Sequence, residues 1–258
     1  MSRCPPVIFH NARELLDFES SSSGPLSSGC PLLDDLIGGG FLPGTVTEIS
    51  GEAGCGKSQI CMQLAATSIA NGLDVVCVET ERGFSVKRVH QMLEFRAENV
   101  EEALQHLLIS SPSTIEQFMH VLTKLEQSTE ELSKTSVLVI DSIATFFRGR
   151  LHREDLQNWR RVLVILCNVA IRHNVAVIYV NHVASRKDPS SEEWATAPFL
   201  FHVLARRPTI RIWLKRASDG PKTSRSITLM KSPFSPKLSA EFFITNSGVS
   251  LLADDKSN

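Results

Sequence analysis

Gly51-Glu52-Ala53-Gly54-Cys55-Gly56-Lys57-Ser58 lies between an apolar run, Thr45 to Ile49, and a helix-like run, Gln59 to Ala70. Its spacing is that of a phosphate-binding loop: Gly, four residues of any kind, Gly, Lys, then Ser. The pattern has a physical basis. Glycines let the backbone curl until several N–H groups face one anion, and the helix that follows turns the positive end of its dipole to the same point. Lys57 can then reach β- and γ-phosphates, and the Ser58 hydroxyl can ligand Mg²⁺. A glycine-rich turn with a capping serine would also account for the glycines, but it leaves Lys57 without a task.

Working outward, strands and helices alternate. The expected strands are Thr45–Ile49, Asp74–Glu79, Ser136–Ile140 and Val175–Val180, and Asp74–Glu79 has the continuous apolar character of a buried parallel strand. Helices are expected around Val86–Leu93 and about Asp155 to His173, and charged, helix-prone sequence runs from Val100 to Leu132. Three later strands, Thr209–Lys215, Ser226–Met230 and Glu241–Asn246, are joined by turn-rich sequence and read as antiparallel. On the N-terminal side a helical pattern from Cys30 to Ile37 stops at Gly38, Gly39 and Gly40. The expected fold is α/β, a mostly parallel twisted sheet with helices on both faces and an antiparallel C-terminal extension. Residues 1–28 read as an arm and linker, 29–250 as the core and 251–258 as a disordered tail.

Composition narrows the classes. A chain of 258 residues that is 42% hydrophobic can bury a large core. It has no apolar stretch of about twenty residues, so no membrane span is expected. The six cysteines include no CxxC pair, which argues for a reducing compartment and against a zinc site or disulfide framework. Cys55, inside the loop, reads either as a small tolerated side chain or as an oxidation-sensitive thiol. With a net charge of −1, any nucleic-acid contact must come from local clusters or from a surface shared with partners.

Further chemistry gathers at expected strand ends, where the ligand crevice of such a sheet opens. Asp141 ends Val137-Leu-Val-Ile-Asp141 and is placed to hold the Mg²⁺ shell. Glu79-Thr80-Glu81 ends the strand before it, and a carboxylate there can orient and deprotonate an attacking water. Glu81 is the favoured residue and Glu79 the second. Asn181-His182 ends the following strand, where a polar pair can sense a γ-phosphate; for His182 a polar strand end is the competing reading.

With these four elements in this order, the chain resembles the RecA-type recombinases in their eukaryotic strand-exchange branch, over about residues 7–250. Leu33 to Gly40, Thr47-Glu48-Ile49 with the loop, Ser58 to Leu64, Glu79 to Arg88, and Asp141 to Arg148 carry the likeness. It implies a RecA-like phosphate-loop core using ATP and Mg²⁺. The nucleotide would be bound by Gly51, Glu52, Ala53, Gly54, Cys55, Gly56, Lys57, Ser58 and Gln59, with Arg88 near the adenine. Glu81, Lys57 and His182 would be catalytic, and Ser58 and Asp141 would hold the metal. Lys231-Ser232-Pro233 with Pro236 resembles the segment that caps ATP bound to a neighbouring subunit. Within the branch the chain looks like a paralogue. Cys30 to Asp34 points to the X-ray-cross-complementing type, and Cys61 to Leu64 with Lys231 to Pro233 points to the C-type.

The chain departs from the pattern in places. Arg82 stands where the family has Gly, and His182 stands for Gln. The first DNA loop, about Arg148 to Asp155, is short, the second, about Ala184 to Phe201, lacks paired glycines, and the family's N-terminal helical DNA-binding domain is not expected within these residues. Phe9-His10-Asn11-Ala12 fits a Phe-x-x-Ala segment of the kind that adds a strand to a neighbour, with Phe9 and Ala12 as anchors. Candidate DNA contacts are Arg148, Arg150 and Arg153 in the first loop and Arg186, Lys187 and Trp194 in the second.

The leading expectation is an ATP-binding paralogue subunit in homologous recombination, located in the nucleus. It would hydrolyse ATP slowly with stimulation by DNA. It would pair with other recombinase-like subunits and the main recombinase, and stabilise recombinase filaments on single-stranded DNA. The alternatives are a self-sufficient strand-exchange ATPase, a non-catalytic ATP-bound scaffold, and a small-molecule kinase for which no acceptor pocket or lid is legible.

Overall fold

The computed structural model describes residues 11–13, 24–127, 134–147, 153–187, 194–199, 207–216 and 224–251. In chain order its elements are α1 (Pro31–Ile37), β1 (Val46–Gly51), α2 (Lys57–Ala70), β2 (Asp74–Glu79), α3 (Val86–Leu93), α4 (Val100–Leu104), β3 (Leu107–Ser110), α5 (Ile115–Gln127) and β4 (Thr135–Asp141). After a 3₁₀ turn at Thr145–Phe147 come α6 (Arg153–His173), β5 (Ala176–Asn181), β6 (Val183–Lys187), β7 (Trp194–Pro198), β8 (Ile210–Arg216), β9 (Arg225–Lys231), β10 (Ser239–Thr245) and β11 (Gly248–Ser250). Among these described residues no helix is long and apolar enough to cross a membrane.

The main sheet runs β11-β10-β9-β8-β1-β5-β4-β2-β3. From β8 to β3 the pairings are parallel, and β9, β10 and β11 extend the sheet antiparallel. Strands covered on both faces need apolar residues at every position, which is why Val137-Leu-Val-Ile140 and Ala176 to Val180 are continuous apolar runs and fully buried. Alternate side chains divide between two cores. Ile49, Cys77, Val139 and Ile178 meet Ile60, Leu64 and Met92 from α2 and α3. On the opposite face Val78, Leu138, Ile140 and Val177 meet Phe118, Trp159 and Leu166 from α5 and α6. Trp159 stacks edge-on against Phe147 and Phe199, at 4.7 and 5.8 Å between centroids; such pairs add roughly 0.5–1.5 kcal/mol beyond their burial. Helix α2 is apolar nearly all round because the sheet, α3 and β11 enclose it.

The N-terminal side follows the sequence closely. Cys30 caps α1, Pro31 opens it where its missing N–H costs nothing, and Gly38 ends it in the left-handed region at φ 93°. Leu26 forms an isolated antiparallel bridge with Phe41.

The structure corrects the sequence reading at four places. The Val100–Leu132 stretch is not helical throughout, because β3 interrupts it, taking up the free edge of β2. Its four residues show no clean alternation because an edge strand is only half covered. Strand β8 is parallel to β1, not part of the antiparallel extension. The described part of the connection from β5 to β8 holds the β6–β7 hairpin where the other parallel crossovers carry helices. No helical pattern therefore announced a parallel return. That hairpin was read as a polar break, and the short strand β11 was not foreseen.

Candidate nucleotide-binding site

The phosphate loop links β1, in the middle of the sheet, to the N-terminus of α2. Two of its glycines are required by geometry. A Cβ on Gly51 would meet the Leu214 carbonyl oxygen at 2.5 Å, and Gly56, at φ 104°, caps α2 in the left-handed region. Lys57 is 6% exposed, and its ammonium donates to the Gly51 and Glu52 carbonyls at 2.8 and 2.7 Å. A buried ammonium needs such partners, and loop carbonyls can be exchanged for phosphate oxygens at little cost. Cys55 is fully buried and donates to the Glu52 carbonyl, and burial pushes its thiol up. Those facts favour the small tolerated side chain over a reactive thiol.

Three strand ends meet the loop. Val180, Asp141, Glu81 and His182 line one cleft of about 460 Å³ together with Lys57, Ser58 and Gln59. Asp141, at the end of β4, is 4% exposed. Burial pushes its carboxyl up, a hydrogen bond from Ser58 opposes this, Glu81 adds to the rise, and Lys57 and His182 oppose it. Its Oδ2 has no hydrogen-bond partner among the described residues. A hydroxyl and a carboxylate with one oxygen to spare form the hard oxygen donor set that suits Mg²⁺. The residues present therefore fit that ion.

Glu81, just beyond β2, is gripped from several sides. His182 Nε2 contacts its two carboxylate oxygens at 2.9 and 3.0 Å, and the Ser142 and Thr145 hydroxyls each donate to Oε1 at 2.9 Å. Thr80 locks the same loop by donating to the Ser142 carbonyl and contacting Thr145 Oγ1. Burial alone would raise the Glu81 carboxyl, but the hydrogen bonds from His182, Thr145 and Ser142 outweigh it and hold its pKa at about 2, against an ordinary 4.5. Because the folded pKa is depressed, the clasp's contribution to stability is complete above the ordinary value and fades as pH falls through 4.5 towards about 2. Asp141, raised in the folded state, acts with the opposite sign. Urea midpoints measured between pH 5 and 3 are expected to fall more steeply for the wild type than for Glu81→Gln. Parallel curves would contradict this.

The structure separates the two acids of Glu79-Thr80-Glu81. Glu79 accepts from Ser111 at 2.9 Å and does not line the cleft. Arg88, on α3, also lies outside it. Its guanidinium donates to Gln59 Oε1 at 3.0 Å, to the Thr245 and Asn246 carbonyls and to Gln91, so it reaches the site through Gln59. Lys231 donates to the Pro208 carbonyl at 2.6 Å, away from the chain's own cleft. Arg82 adopts φ 54°, the left-handed conformation that glycine takes readily, at the position where the resembled pattern has Gly.

Phe9, Arg148 and Arg150 lie outside the described residues. Ala12 is exposed, Arg153 opens α6, and Arg186 and Lys187 close β6 opposite Ala195 and Trp194 of β7. Sequence reasoning missed Arg225 and Ile244, which line the cleft from β9 and β10, and Arg216, whose guanidinium lies against Gly54. Nothing near them in sequence marks them. Ser142 and Thr145 were missed too, although they follow Asp141 in the same segment.

A phosphate loop at the centre of a mixed sheet, with acids at the neighbouring strand ends, defines a RecA-like core. Residues 23–252 match the Rad51 family model, and the chain belongs to that family. It is 36% identical over 159 residues to the DNA repair and recombination protein RadB of Thermococcus kodakarensis, a match covering 61% of this chain and 70% of that protein. A crystal structure of the RadB recombinase superimposes with a TM-score of 0.74 at 30% identity, over 88% of this chain and 99% of the other.

Proposed function

We propose that this chain is an ATP-binding recombinase-paralogue subunit of homologous-recombination DNA repair. It works in the nucleus with other recombinase-like subunits, and stabilises filaments of the main recombinase on single-stranded DNA. The observation that carries the reading is the convergence of Lys57, Ser58, Asp141, Glu81 and His182 on one cleft. Membership of the Rad51 family and the names of its relatives support the repair role. The finer likeness to the C-type and X-ray-cross-complementing paralogues rests on Cys30–Asp34, Cys61–Leu64 and Lys231–Pro233.

In this reading the loop N–H groups and the start of α2 receive the triphosphate, and Lys57 transfers its donors from the Gly51 and Glu52 carbonyls to phosphate oxygens. Ser58 and Asp141 would hold Mg²⁺, which when bound neutralises charge on the phosphates. Glu81 orients the attacking water, and His182, Ser142 and Thr145 fix its carboxylate. A base works best with a pKa near the working pH. One held at about 2 accepts a proton poorly, which supports slow turnover. The same clasp favours a second reading, a scaffold that binds ATP without needing to hydrolyse it.

Light scattering after size exclusion tests the assembly. The purified chain is expected to form a defined complex with a recombinase-like partner, strengthened by ATP. A monomer that engages no such partner under any nucleotide condition would count against a paralogue subunit.

A further inference from the structure

Glu48 is fully buried in the middle of β1, and the site described above does not use it. The strand register makes it the direct neighbour of Tyr179 on β5 and of Arg211 on β8, and Arg211 in turn faces Lys231 on β9. A polar row therefore crosses four adjacent strands on the sheet face opposite α2. Arg211, 5% exposed, donates through Nε to Glu48 Oε2 at 2.5 Å. Burial and the adjoining Glu48 carboxylate keep the Tyr179 phenol protonated.

An ion pair in such a place is seldom the most stable solution. Removing two charges from water costs more than their attraction returns unless further hydrogen bonds help, and an apolar pair of similar volume often does as well or better. The other oxygen of Glu48 indicates a purpose. Oε1 accepts from Asn181 Nδ2 at 2.8 Å, and the same amide donates to the Phe199 carbonyl at 3.1 Å. The Phe199 N–H donates to the His182 carbonyl at 2.7 Å. Two acceptors fix which end of the Asn181 amide faces inward. The peptide of His182 is thereby tied through Phe199 and Asn181 to a carboxylate in the core, while its imidazole holds Glu81.

We propose that Glu48, anchored by Arg211, is a positioning residue that sets the nucleotide-facing end of β5, fixing Asn181 and through it the His182–Glu81 clasp. This rests on the reading of the cleft as a site of ATP hydrolysis. The acceptor on Glu48 sets the geometry, and the charge of Arg211 makes a carboxylate tolerable there.

Two double variants separate positioning from packing. Glu48→Met/Arg211→Met removes both charges and the acceptor. Glu48→Gln/Arg211→Met removes both charges but keeps an oxygen for Asn181. Both are expected to melt near the wild-type temperature and to bind the ATP analogue ATPγS within about twofold of wild type. The first should lose at least tenfold in kcat, and the second should recover to within about threefold. Equal kcat for the two overturns the proposal. Should the methionine pair not fold, Asn181→Ala, which leaves the ion pair intact, must show the same loss, and wild-type kcat for that variant overturns it equally. Absence of turnover in the wild type would refute hydrolysis itself. In that case nucleotide-free crystal structures of the two double variants decide: His182 displaced from Glu81 only in the methionine pair supports the positioning role, and His182 unmoved in both overturns it.

Discussion

Lys57→Ala is expected to weaken ATP binding at least a hundredfold, measured by titration with a fluorescent ATP analogue, with the thermal melt of the free protein little changed. The ammonium makes two charge-assisted hydrogen bonds to loop carbonyls in the free protein. A bound triphosphate offers anionic acceptors in their place, each contact worth about 1.5–3 kcal/mol. Losing two such contacts amounts to about two factors of ten or more, at 1.4 kcal/mol each. The free protein loses little, because an alanine there leaves only two carbonyls to be hydrated. Nucleotide affinity within threefold of wild type would mean that the loop does not grip phosphate.

The second large effect is expected from Glu81→Gln. A positioned acid–base group contributes about 10²–10⁴ in rate, and the low pKa of Glu81 puts its share at the lower end of that range. The variant should lose turnover to that extent while its nucleotide affinity stays within about twofold, since Glu81 is not among the loop groups that receive the phosphates. Glutamine can still accept from Ser142 and Thr145, so the local fold survives. What is lost is the anion paired with His182. If filament stabilisation by the variant equals that of wild type while hydrolysis is gone, ATP acts as a structural ligand and the scaffold reading stands.

The main features were legible where local chemistry and position coincide. Gly51 to Ser58 announced the turn from β1 into α2 because glycine, lysine and serine each have a distinct task there. Asp74–Glu79 was delimited to the residue and the helix around Val86–Leu93 was placed, since buried parallel strands and capped amphipathic helices carry strong periodic signals. Glu81 could be preferred to Glu79 in sequence, and the reason appears only in three dimensions: Glu79 turns to Ser111 and Glu81 to His182. Long-range pairing was hidden. Whether β8 runs parallel to β1 depends on a crossover whose described part is a hairpin instead of a helix. Arg225 and Arg216 reach the loop from strands more than 150 residues further along the chain, and no local pattern marks them. Glu48 could be recognised only as part of a short motif. Its pairing with Arg211 and Asn181 is a property of the register.

Calorimetric titration of the wild-type chain with ATP, in the presence of Mg²⁺ and again in excess EDTA, tests the central claim most directly. Saturable one-to-one binding is expected with the metal. It should be markedly weaker in EDTA because Ser58 and Asp141 then lose the ion that joins them to the phosphates, and it should be competed by ADP far better than by AMP. No saturable heat at millimolar ATP, or equal affinity for ATP and AMP with no effect of the metal, would contradict the account.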